Sequence, residues 1–112
     1  MQMLERVLNL NFKFRMACEI IWSTKAKATY IKILSYIFSN WTIKEVNAFD
    51  EKTNKMLGLI SHFPEMCLKI KKENIRRCVI TIHTSLYYEI RGDKIYLITF
   101  WDNRRKPSKL KL

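Results

Sequence analysis

The sequence predicts an α+β domain in the order β-α-α-β-β-β, a small twisted antiparallel sheet carrying an α-helical hairpin on one face. Three observations lead there. Apolar residues recur at three- and four-residue steps over residues 26–41 and again over 46–60, and from Ile75 onward the period changes to two. A Gly92-Asp93 pair then separates two strand-like runs, the place for a tight hairpin turn in which glycine supplies the positive φ. At 112 residues the chain makes one domain at most. Its 48% hydrophobic content, with only two glycines and two prolines, gives core material with few breaks and excludes disorder throughout.

Residues 1–15 fit this plan poorly. Met16 opens MACEIIWS, a natural start for a domain that begins on a strand, so the division is an extension over 1–15 and a domain over 16–112. The extension is expected to be either an upstream start or a helix packed loosely on the surface, and N-terminal sequencing of the natural product decides between them. Cys18 to Trp22 is long enough for one strand, and Ser23 and Thr24 then offer N-cap oxygens. Ala26, Tyr30, Ile33, Leu34, Ile37 and Trp41 form the buried stripe of the first helix. Thr42 and Glu45 have capping-box spacing at the start of the second, whose stripe is Val46, Phe49, Thr53, Met56, Leu57 and Ile60. That helix ends near His62, because the residue before Pro64 disfavours helical geometry. Two helices with almost no linker make an antiparallel hairpin. Strands follow over 75–82, 86–91 and 94–101, with His83-Thr84-Ser85 as the first turn.

Charge points to association. Twenty-one Lys+Arg against ten Asp+Glu give a formal net charge of +11, which argues for polyanionic or acidic partners without constraining the fold. The three cysteines are odd in number and lack CxxC or Cys/His ligand spacing, so reduced buried thiols are expected in place of disulfides or zinc. No apolar run has the length of a membrane span, and the N-terminus makes a poor signal peptide, so the chain is expected in the cytoplasm.

Two basic clusters are the candidate binding residues. Lys69, Lys71, Lys72, Arg76 and Arg77 lead into and along the first strand of the C-terminal sheet; Arg104, Arg105 and Lys106, with Lys109 and Lys111 beyond, leave its last strand. Singly, each reads as a solvated loop. Together they flank one small sheet rich in aromatics and are expected to form one positive surface for a partner or nucleic acid. Arg76, Arg104, Arg105, Tyr87 and His83 are the candidate catalytic groups, with His83 or Tyr87 as proton carrier. There is no HExxH, Gly-rich phosphate loop or paired-carboxylate site, so neither a metal nor a cofactor is expected.

The segments EIIWSTKAK (Glu19–Lys27), LISHFPEM (Leu59–Met66) and LYYEIRGDKIYLITFWDNRRKP (Leu86–Pro107) together resemble the RelE/ParE superfamily of toxins from type II toxin–antitoxin systems. The likeness covers roughly Met16 to Leu110 and rests on the strand-into-helix opening, the L-I-x-x-x-P helix exit, and the F-x-D-x-R-x-x-P ending at Phe100, Asp102, Arg104 and Pro107. It implies a small sheet with an α-hairpin and one of two activities. RelE-like members cut messenger RNA in the ribosome with lysines and arginines on the sheet; ParE-like members poison DNA gyrase. Of the RelE-like cations, the first falls on Arg76 and the last on Arg105 or Arg104, but the second falls on Cys78 and the third on Ser85. Transition-state charge depends on such groups, each worth roughly 10²–10³ in rate, so the resemblance is closer on the ParE-like side.

The expected function is therefore a growth-inhibiting toxin that binds DNA gyrase and is neutralised by a small acidic antitoxin, a role associated with plasmid stabilisation. A ribosome-dependent, metal-independent messenger-RNA endonuclease is the enzymatic alternative, and a basic binding module without toxicity is the third.

Overall fold

The computed structural model describes residues 17–71 and 73–112. Residues 1–15 and Lys72, on which expectations were placed above, lie outside the described residues. The elements are β1 (Glu19–Trp22), α1 (Thr24–Asn40), α2 (Ile43–His62), β2 (Leu68–Lys71), β3 (Ile75–Thr81), β4 (Thr84–Arg91) and β5 (Lys94–Asp102), followed by a short 3₁₀ turn over Pro107–Lys109. The five strands form one sheet in the order β1-β5-β4-β3-β2.

The expected order holds with two refinements. A fourth C-terminal strand, β2, adds to the far edge by antiparallel pairing with β3. β1 pairs parallel with β5, Glu19 beside Lys94 and Trp22 beside Leu97, so the sheet is mixed. A parallel partner requires a crossover connection. Here the helical hairpin and three further strands intervene. The first turn also sits earlier than expected, since Thr84 and Ser85 already belong to β4.

Local chemistry explains how α1 seats on β5. Ser23 caps the helix by accepting from the Ala26 N–H at 2.9 Å, and its hydroxyl donates to the Ile98 carbonyl at 3.0 Å. Nearly two turns later the Thr29 hydroxyl accepts from the Phe100 N–H at 3.0 Å. Register shifts between Tyr87 and Tyr88 against Leu97 and Thr99, a bulge that leaves ladder groups without a strand partner. The cap hydroxyl bonds the carbonyl of the bulged residue, Ile98, and Thr29 grips β5 just beyond it. At the other end, Ser61 and Cys18 exchange hydrogen bonds that fasten the end of α2 to the start of β1.

Ala26, Tyr30, Phe49, Leu57 and Ile60 from the helices pack on Ile80, Leu86, Tyr88, Ile95, Leu97 and Phe100 from one sheet face. Burial of an apolar side chain of this size stabilises by about 1.5–3 kcal/mol. Two hydroxyls buried with them are paired: the Tyr30 hydroxyl donates to Asp50 Oδ1 and Thr53 to the Phe49 carbonyl. Gly92 takes the expected positive φ of 60°, and Asn74 takes 68° in the β2–β3 connection. Trp41 departs from the expected stripe. It lies at the C-cap of α1, where the helix ends, and is 56% exposed.

The cysteine expectation is corrected. Leu68 pairs with Arg77, which brings the neighbouring Cys67 and Cys78 face to face with Cα atoms 5.2 Å apart, and they form a disulfide. Cys18 is free. Spacing along the chain carries no sign of this, because the pairing depends on β2, which gains its place only by pairing with β3.

Candidate functional site

The site is built where β5 runs out. Asp102 is the last residue of β5 and pairs with Thr84. The next residue donates its N–H to the His83 carbonyl at 2.8 Å, and the Arg105 N–H returns to the Asp102 carbonyl at 3.0 Å. Asn103 is the peg of this turn: its Oδ1 accepts from the Ser85 hydroxyl at 2.9 Å and from Arg77 at 3.4 Å, and its Nδ2 donates to the Ile82 carbonyl at 3.4 Å.

The turn fixes two guanidinium groups in different ways. Arg104 forks onto both carboxylate oxygens of Asp102, each contact at 3.0 Å, while its N–H donates to Oδ1 at 2.9 Å. The same guanidinium lies 5.8 Å from the centre of the Tyr36 ring on α1. Arg105 stacks on Trp101 at 4.6 Å, and among the described residues no carboxylate pairs with it. One arginine is neutralised in place. The other keeps its charge for a partner.

Between the C-terminal half of α1 and these turns lies a cleft of about 670 Å³. Tyr36, Trp41 and Phe100 contribute aromatic walls, and Lys32, His83 and Arg105 stand among its lining residues. Tyr36 is 48% exposed, with its ring centre 6.1 Å from that of Trp41. Among the described residues, no group of three His, Cys, Asp or Glu side chains is placed to hold a metal ion, and no helix is long and apolar enough to cross a membrane.

The predicted site residues divide. Arg104, Arg105 and His83 meet at the cleft, and Arg77 reaches the same turn through Asn103. Lys106 is exposed beside it. Lys69 pairs with Arg76 on edge strand β2, so it sits three strands away from β5. Lys71 is in β2. Tyr87 is buried and pairs with Arg77 on the sheet face that points away from the helices, so the two suggested proton carriers are not brought together.

Arg76 corrects the expectation that it belongs to a positive surface. Alternation along β3 turns it to the helix-bearing face, in register with core residue Tyr88, and its side chain is only 12% exposed. It donates to the carbonyls of Glu65 at 3.0 Å and Cys67 at 2.7 Å. A single continuous cationic face over both clusters therefore does not form, because neighbouring Arg76 and Arg77 point to opposite sides of the sheet.

Sequence reasoning missed Lys32, Tyr36, Trp41 and the bracing role of Asn103. Tyr36 left one signal, an aromatic residue standing off the buried stripe of its helix.

Asp102 gives the turn a pH dependence. The Arg104 hydrogen bonds hold its carboxyl below the ordinary carboxylate value, against a smaller opposing effect of burial. A lowered folded-state pKa contributes stability above the unfolded value, and that contribution is lost as pH falls through the folded one. Amide resonances of residues 103–105 are therefore expected to shift only below about pH 4, and Asp102→Asn is expected to remove that transition. An unchanged acid profile in the variant would show that another carboxylate governs the turn.

A family model described as the ParE toxin of type II toxin–antitoxin systems, parDE, matches residues 20–107. Among solved structures, one from the chromosomal ParDE TA system of P. aeruginosa superposes with a TM-score of 0.66 at 10% identity, covering 77% of this chain and 96% of that one. The solution structure of a conserved hypothetical protein from Helicobacter pylori gives a TM-score of 0.51 at 18% identity, covering 79% and 97%. At these identities the two neighbours speak to the fold alone. No curated protein matches the chain.

Proposed function

Because the chain belongs to the ParE toxin family of type II toxin–antitoxin systems, we propose that it inhibits growth by binding DNA gyrase and is neutralised by a cognate acidic antitoxin. The observation that carries the reading is how the cations are used. Arg105 has no carboxylate partner among the described residues, whereas Arg76 spends its hydrogen bonds on the carbonyls of Glu65 and Cys67. Cys78 is tied up in a disulfide, and Ser85 is fully buried against Asn103.

A message-cutting reading needs cations at all four of these positions, and of the four only the last, Arg104–Arg105, places a cation at the cleft. Binding is the better use of such a surface. An acidic antitoxin has two docking modes available, a helix laid along an apolar groove and a strand added to a sheet edge, and β2 is one edge of this sheet. Attraction to the +11 chain would speed its capture and weaken with salt.

Expression without an antitoxin is expected to arrest growth, with gyrase-dependent DNA breaks and intact messages; co-expression of a cognate acidic antitoxin is expected to restore growth. Primer extension showing codon-register cuts would favour the nuclease, and harmless overproduction would remove the toxin role.

A further inference from the structure

We infer that the cleft between α1 and the 102–105 turn is a binding site for a nucleoside phosphate, free in solution or at the exposed end of a nucleic acid strand. This goes beyond the gyrase reading and does not rest on it. Size is the first argument. About 670 Å³ is the volume of a small-molecule pocket, within the usual 300–1,000 Å³ or so, and a partner helix needs a longer trough.

The walls suit a planar, π-faced ligand. Tyr36 and Trp41 are both large, both about half exposed, and neither belongs to the core. Exposed aromatic faces beside cationic groups are the elements with which proteins stack a base. The cations supply the phosphate end. Asp102, the carboxylate among the lining residues, is already engaged by Arg104, so Lys32 and Arg105 keep their donors available. Arg105 lines the cleft with no carboxylate partner among the described residues, and a guanidinium swung off Trp101 offers paired donors to a phosphate. A bare phosphate would leave the aromatic walls unused. An acidic peptide would satisfy the rim, but it leaves the exposed Trp41 and Tyr36 rings unused.

The test is isothermal titration of the full chain with adenosine and guanosine 5′-monophosphate, guanosine, ribose 5-phosphate and a 5′-phosphorylated trinucleotide at fixed salt. Mononucleotide binding is expected, with ribose 5-phosphate and guanosine each weaker by about 10-fold or more. Trp41→Leu and Arg105→Ala, both at exposed positions, are expected to weaken binding by about 10-fold each with unchanged circular dichroism. Lys44→Ala, exposed at the start of α2 outside the cleft, is expected to have no effect. A trinucleotide that binds more tightly than the mononucleotides identifies a strand end as the source; equal affinity identifies the free nucleotide. Three results overturn the proposal: no nucleotide binding, equal affinity for ribose 5-phosphate and the mononucleotides, or binding indifferent to both cleft variants. Failure of the gyrase reading leaves all of these outcomes where they stand.

Discussion

Arg76→Ala is expected to destabilise the fold by about 2–4 kcal/mol, read as a lower urea midpoint with an unchanged slope. The side chain makes two charge-assisted hydrogen bonds to the carbonyls of Glu65 and Cys67, and bonds of this kind are worth about 1.5–3 kcal/mol net apiece. The full sum is not expected, because Arg76 Nε is buried without a partner and substitution relieves that cost. The contact with Glu65 at 3.7 Å adds little, since that carboxylate is 77% exposed and surface ion pairs contribute about 0–1 kcal/mol. Glu65→Ala should therefore be close to neutral, which separates the carbonyl bonds from the ion pair. Arg76→Lys should recover only part of the loss, since one ammonium does not reproduce a fork that spans two carbonyls. The neighbouring Tyr88 hydroxyl donates to the Pro64 carbonyl at 2.6 Å, and burial pushes its pKa up to about 12. The 64–67 connection is thus held from beneath by two side chains of the sheet. A midpoint unchanged in Arg76→Ala would mean that Tyr88 and the disulfide hold it unaided.

Much of this architecture is legible in the sequence because it is locally encoded. The two helical stripes, the Thr42–Glu45 cap, in which the Glu45 carboxylate accepts from Thr42, and the positive φ at Gly92 each depend on residues within a few positions of one another. What escaped depends on distant partners. β2 is a four-residue segment, LKIK, too short and too charged to show a period, and its place comes from pairing with β3. Parallel pairing of β1 with β5 joins residues 75 positions apart, and no turn signal announces it. The role of Arg76 was within reach: it shares parity with Cys78 and Ile80 along one strand, and that alternation alone assigns it to the core face. Parity likewise sends Arg77 to the other side. Clustering by charge, without regard to the period of two, merged them into one patch.

The double substitution Arg105→Glu with Lys106→Glu is expected to abolish growth arrest while leaving thermal stability nearly unchanged. Both residues are exposed, and neither joins a salt bridge among the described residues. The stability cost is therefore small, about 0.5–1 kcal/mol for the lost Arg105–Trp101 contact and about 0.5 kcal/mol or less at Lys106. The partner pays a different cost. Reversing one charge that lines the cleft and one on the next residue removes attraction to an acidic surface and adds like-charge repulsion, and steering of this kind accounts for about 10–10³ in association rate. An affinity loss of about 10²-fold or more is expected for the acidic antitoxin and for any acidic target surface. Arg104 is a poorer test, because removing it also strips Asp102 of its partner and disturbs the turn that presents Arg105. Salt separates the causes: an electrostatic defect narrows as ionic strength rises and screening shortens, whereas a packing defect persists. If the double variant still arrests growth and still binds its antitoxin at low salt with the original rate, the cationic turn is a solvated loop and the partner surface lies elsewhere on the molecule.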